Sequence, residues 1–253
     1  MRAYLDNNIL VYVENGILDF ENLKQIIDSR IERIFYSSAH LQEADEMQGT
    51  TERERNERIE KRLQTIERIT SGNYLYQDLD NKVFLQIEKP RKVLETIREI
   101  PFANGAMKAL ANMITEDQRE LSRKSLGLET SRLNNYLPSE VIEHLNKKLT
   151  TWGQGHSFME VLEMGILYHP QGQSFGLSNR IAGVFELLDL LGYWKDKATE
   201  KSNYARLWDS NHTFFAAHCD YFISDDKRTR NKARVVYDIY DIGTRVLSSK
   251  GEE

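Results

Sequence analysis

Apolar runs that stop at an acid stand near both ends of this 253-residue sequence, and they restrict its fold more than any other feature. Ala3-Tyr4-Leu5 halts at Asp6-Asn7-Asn8 before Ile9-Leu10-Val11 resumes, which reads as a short buried strand delivering an acid to a loop or helix start. Towards the other end, Tyr221-Phe222-Ile223-Ser224 runs into Asp225 and Asp226. Two more acids are placed in the same way, Glu43 in IFYSSAHLQEADEM and Asp209 in RLWDSNHTFFAAHCDYF. If the segments carrying Asp6, Glu43, Asp209 and Asp226 share one parallel sheet, their carboxylates converge on the rim where open α/β sheets hold ligands.

The stretches between these acids support that class. Leu23, Ile26 and Ile27 space a short amphipathic helix over 20–29, and Arg33 to Ser38 reads as a second strand with Ser37 or Ser38 capping the helix that bears Glu43. Residues 50–70 are dense in charge, with Ile59, Leu63, Ile66 and Ile69 on one stripe, so a helix facing solvent with paired Glu and Arg side chains is expected. A small hairpin is expected around Asp78-Leu79-Asp80-Asn81. From Pro90 to Tyr193 the pattern is nearly all helical, broken at Gly105, Gly127, Pro138, Gly153 and Pro170-Gln171-Gly172. Its last helix should span Ser178 to Tyr193, capped by Ser178 or Asn179. Tyr204 to Cys219 then reads as a helix, Tyr221 to Ser224 as a strand, Asn231 to Tyr240 as a helix and Arg245 to Leu247 as a last strand. The expectation is one α/β domain with its parallel-sheet core near 1–48 and 203–250 and a mostly α-helical insertion near 50–200.

A carboxylate cluster without cysteine or histidine ligands suits a hard cation, Mg²⁺ or Mn²⁺. Two such ions about 4 Å apart activate water and stabilise the leaving oxygen in attack on phosphorus, and they need acids from separate chain segments. Taken singly, each acid also has a structural reading. Asp6 reads equally as a cap or turn residue, Glu43 lies among solvated charges, Asp209 can pair with Arg206, and Asp226 can cap the next helix. The net charge of -5 provides no global field for nucleic acid, so local cations must do that work. Lys227, Arg228, Arg230, Lys232 and Arg234 form the densest basic stretch, beside Asp226. Arg119, Arg123 and Lys124 read as surface charge. His40 and His212 each fall three residues from a candidate acid, as second-shell partners or as half-buried structural residues. Cys219 has no second cysteine to pair with, and the start MRAYLDNN lacks the regions of a signal peptide, so a cytoplasmic protein with no membrane partner is expected.

The blocks around the acids resemble PIN and PIN-like nucleases. Tyr4-Leu5-Asp6-Asn7-Asn8-Ile9-Leu10 is similar to the family's opening strand, and Ser37-Ser38-Ala39-His40-Leu41-Gln42-Glu43 to its second acidic block. Asp209-Ser210-Asn211-His212 with Ala216-Ala217 is similar to the third, and Phe222-Ile223-Ser224-Asp225-Asp226 to the fourth. The similarity covers the chain to about Asp45 and again from about Tyr204, and the helical middle departs from the small toxin pattern. It implies that Asp6, Glu43, Asp209 and Asp226 hold Mg²⁺ or Mn²⁺, with Asp225 as the rival to Asp226. Ser224 would position Asp226 or a phosphate, and Asn7, Lys227, Arg228 and Arg230 would bind substrate.

The function this implies is metal-dependent phosphodiester hydrolysis, on RNA ahead of DNA, in the setting of a bacterial toxin or antiphage effector. An inhibitor or activator protein and self-association are left open as partners. The rival is a non-catalytic PIN-like platform that binds RNA or protein. Ranked lower is a metal-independent HEPN ribonuclease built on Arg206 and His212 of RLWDSNH. An aspartyl-phosphate phosphatase is disfavoured because no second acid stands two places after Asp6.

Overall fold

The computed structural model describes residues 1–99, 115–152, 155–167, 176–196 and 200–253, except the side chains of 151, 152 and 200–204. The breaks expected at Gly105, Gly153 and Pro170-Gln171-Gly172 lie outside these residues. The chain is α/β and forms two compact units. Met1–Phe102, His212–Arg230 and Gly243–Glu253 make a sheet unit, while Ala103–Asn211 and Asn231–Ile242 make a helical unit.

The sheet unit holds six strands, β1 (Arg2–Leu5), β2 (Arg33–Ser37), β3 (Asn73–Gln77), β4 (Val83–Ile87), β5 (Tyr221–Ile223) and β6 (Arg245–Leu247). Their order is β4-β3-β2-β1-β5-β6, parallel except between β3 and β4. Strands β1, β2 and β5 are buried almost throughout, which is why their sequences read as unbroken apolar runs. One face packs Ala3, Leu5, Ile34, Tyr36, Tyr221 and Ile223 against helices α1 (Asn7–Glu14), α4 (Glu52–Thr70) and α5 (Pro90–Arg98). Between these elements, α2 (Phe20–Ile27) is capped by Asp19 and α3 (Ser38–Asp45) by Ser37. The stripe of α4 packs as expected, burying Ile59, Leu63, Ile66 and Ile69, and its charged face carries pairs such as Arg53–Glu57. Residues 50–102 therefore group with the sheet instead of the insertion, because α4 covers it and the β3–β4 hairpin widens it.

In the helical unit the described helices are α6 (Glu116–Ser125), α7 (Thr130–Leu133), α8 (Pro138–Trp152), α9 (Phe158–Leu167) and α10 (Leu177–Leu191). The expected stripe of α10 is buried at Ile181, Val184, Phe185, Leu188 and Leu191. Its start differs from expectation: Gly176 holds the cap position and no side chain caps the helix. At its other end Gly192, at φ 96°, turns into the left-handed region and lets Tyr193 N reach Leu188 O. Helices α11 (Glu200–Ala216) and α12 (Lys227–Ile239) begin earlier than expected, and each has residues in both units. Arg119 and Arg123 are buried, contrary to the surface placement expected, because acids meet them. Arg119 pairs with Glu186 and Asp189, and Arg123 with Glu116. Among the described residues no helix is long and apolar enough to cross a membrane.

Candidate functional site

Strands β1 and β5 run parallel side by side, so their carboxyl ends arrive at the same rim. The Asp6 amide extends the ladder by donating to Ile223 O at 2.8 Å, and its side chain then caps α1. Asp6 is only 4% exposed, yet no lysine or arginine among the described residues pairs with it. Neutral donors hold it instead: Asn7 N on Oδ1 at 2.7 Å, and Ser224 Oγ and Asn8 Nδ2 on Oδ2 at 2.6 and 2.5 Å. Burial raises the Asp6 pKa, with the Glu43 charge adding to it, against the opposing pull of His212 and Ser224.

Ser224 links two predicted positions, because its oxygen also accepts from Asp226 N at 3.1 Å. Asp226 Oδ1 caps α12 by accepting from Arg228 N at 2.7 Å and Thr229 N at 3.3 Å. The rival position, Asp225, is committed elsewhere: both its oxygens accept from Ser249 at 2.8 Å. Asn7 gives its side-chain oxygen to the buried Arg62 at 2.6 Å, which makes it a holder of α4 more than a free ligand. Of the basic stretch, Lys227 is exposed and Arg228 half-buried, whereas Arg230 turns inward to donate to Ser224 O at 2.7 Å. Lys232 is buried against Asp189 and Asp196 in the helical unit.

Behind the rim lies a buried polar chain that sequence spacing did not reveal. His212 Nε2 meets Glu43 Oε2 at 3.0 Å, and its Nδ1 meets Tyr4 OH at 2.8 Å. The Tyr4 hydroxyl is also 2.6 Å from Ser37 Oγ and 3.3 Å from His40 Nδ1. His40 has one tautomer open to it. Its Nε2 must donate to the carbonyl of Leu5, and its Nδ1 must accept from Ser37 N–H. Burial accordingly holds the His40 pKa well down, helped by His212. His212 behaves oppositely: burial opposes its charge, but the hydrogen bond and field of Glu43, with Asp6 behind, outweigh this and raise its pKa. When His212 is neutral, Tyr4 O–H donates to Nδ1; when it is charged, the hydroxyl rotates to Ser37 and Nδ1–H donates instead. The carboxylate hydrogen bond expected for His212 is made to Glu43, 169 residues away, whereas His40 bonds backbone.

Asp6, Glu43 and Asp226 belong to the sheet unit, while Asp209 falls in the helical unit, on α11 three residues before His212. Compared with known proteins, the chain matches no family model, no curated protein and no solved structure. Chemistry therefore has to be read from the residues alone. The donor set fits a hard cation by type, all carboxylate and hydroxyl oxygen. Glu43 Oε1 and Asp226 Oδ2 each accept no hydrogen bond from the described residues. Among those residues no three His, Cys, Asp or Glu side chains are gathered as a metal cage. A cavity of about 510 Å³ lined by Arg2, Leu75, Leu85 and Thr244, among others, includes none of these acids.

Proposed function

We propose that the chain is a PIN-like, metal-dependent nuclease acting on RNA ahead of DNA. The observation that carries the reading is the Asp6–Ser224–Asp226 linkage across the ends of β1 and β5, in which neutral donors hold Asp6 and no Lys or Arg among the described residues pairs with it. Asp6, Glu43 and Asp226 would hold Mg²⁺ or Mn²⁺, which supplies an activated water and screens the phosphate. Ser224 and Asn8 hold the Asp6 carboxylate in place, and His212 does the same for Glu43. Lys227 and Arg228, at the start of α12, are the cations beside Asp226 that would meet backbone phosphates. Asp209, the fourth acid expected in this set, falls in the helical unit, and the three acids of the sheet unit carry the proposal.

A HEPN reading is weakened by two observations. Arg206 is buried in ion pairs with Glu186 and Asp189, and His212 is buried with both nitrogens engaged. The test is incubation of the full chain with labelled single-stranded RNA and DNA, with Mn²⁺ or with chelator, alongside Asp6→Asn and Asp226→Asn. Cleavage that needs the metal and both acids is expected. Cleavage that survives chelator would sink the metal mechanism, and no cleavage by a folded protein would favour the binding platform.

A further inference from the structure

Strand β4 closes one end of the sheet, and nothing among the described residues pairs with its outer side. Its backbone orientation follows from the hairpin. Glu88 N donates to Gly72 O and Asp78 N to Lys82 O, both at 2.9 Å, in a register that pairs Tyr74 with Gln86 and Tyr76 with Phe84. Antiparallel pairs alternate between bonded and non-bonded, so the even-numbered residues bond inward. The amide and carbonyl groups of Val83, Leu85 and Ile87 therefore point away from the sheet, three residues' worth of open ladder.

The side chains along this edge are apolar and unusually open, with Phe84 45%, Leu85 48% and Ile87 83% exposed. Protein edges are usually blunted by an internal lysine, a proline or a bulge, and VFLQI has none of these; Lys82, Lys89 and Pro90 only flank it. Such a strand accepts another strand, and its sequence selects which. In an antiparallel pairing about a two-fold axis at Leu85, Val83 faces Ile87 of the second copy, and Phe84 faces Gln86. That register also sets Lys82 opposite Glu88, once on each side of the axis, and it joins outward-pointing groups only to outward-pointing groups. Glu88 already holds Lys92 of its own chain at 2.6 Å through one oxygen and accepts from Lys89 N at 3.1 Å on the other, and each carboxylate oxygen has a further lone pair for the facing Lys82.

We propose that β4 is a self-association edge, pairing antiparallel with β4 of a second copy to give one continuous sheet across an isologous dimer. This is independent of the nuclease reading. The experiment is sedimentation velocity on the full chain over a range of micromolar concentrations. A monomer–dimer equilibrium is expected for the unaltered chain. Leu85→Pro removes an outward N–H without touching the β3 ladder, so it should give monomer with unchanged circular dichroism. Lys82→Glu should weaken the dimer about tenfold, since the axis repeats the like-charge clash, and Lys82→Glu with Glu88→Lys should restore it. A chain that stays monomeric throughout, or a dimer that Leu85→Pro leaves intact, would overturn the proposal. If Leu85→Pro fails to fold, the charge pair decides: no weakening by Lys82→Glu, or no restoration by the exchange, also overturns it.

Discussion

Two groups of buried charge in this molecule are built on opposite plans. In the helical unit Asp189 accepts from Arg119, Arg206 and Lys232, while Glu186 and Asp196 share the same three cations. At the rim of the sheet Asp6 is as buried as Asp189, but its partners are an amide, a carboxamide and a hydroxyl. The consequences appear in their acidities. Although burial acts to raise the Asp189 pKa, Lys232 and Arg206 hold it below the ordinary value, whereas that of Asp6 is pushed above it, chiefly by burial. A neutralised cluster fastens helices and has no field to spare. Asp6 has no Lys or Arg pair among the described residues, so burial of its charge is not offset by an ion pair as it is at Asp189, and that contrast is what motivates the metal proposal.

The comparison is sharpest in stability. Asp189→Asn removes the anion common to three buried cations and should cost about 3–5 kcal/mol in urea unfolding. Asp6→Asn, an equally small change, should stay within about 1 kcal/mol while abolishing metal-dependent cleavage. Equal losses for the two variants would break the distinction. Ser224→Ala tests the rim itself: it should lower cleavage about 10–100-fold by freeing Asp6, with metal affinity falling in parallel.

The pH dependence carries its own sign. Because the folded Asp6 pKa lies above its ordinary 3.8, the cost of its charge is absent below 3.8 and grows as pH rises through the folded value. The stability of Asp6→Asn relative to the unaltered chain should therefore improve over that window; a flat difference would mean that Asp6 titrates normally. For His212, held above 6.5 by Glu43, stability is fully present below 6.5 and lost as pH rises through the folded value. In Glu43→Gln, NMR of the imidazole should show its pKa dropping below 6.5, since burial then dominates. The smallest effect is at the surface. Lys227→Ala should change stability by no more than about 0.5 kcal/mol, yet lower the salt slope of RNA binding by about one.

How much of this was legible in the sequence depends on how far apart the cooperating residues lie. The α/β class and the strand ends bearing Asp6 and Ser224 were readable because strands buried on both faces show as apolar runs. The hairpin at 73–87 was readable from its turn, but its membership in the main sheet was not, since local alternation says nothing of which neighbour β3 finds. Arg119 read as surface charge because its partners Glu186 and Asp189 lie 67 and 70 residues away. Likewise His212 was weighed against the acid nearest in sequence, while the fold joins it to Glu43. The helix cap read at Asp226 is present and uses one oxygen, which leaves the other without a hydrogen bond from the described residues.

The separation of 218 positions between Asp6 and Ser224 carries a consequence for synthesis. During synthesis Asp6 is made 218 positions ahead of the hydroxyl that orients its carboxylate, and ahead of β5 and of the Asp226 that shares that hydroxyl. A chain that stops before Ser224 therefore carries Asp6 without the hydroxyl that fixes its carboxylate, and the rim exists only once β5 has been added beside β1.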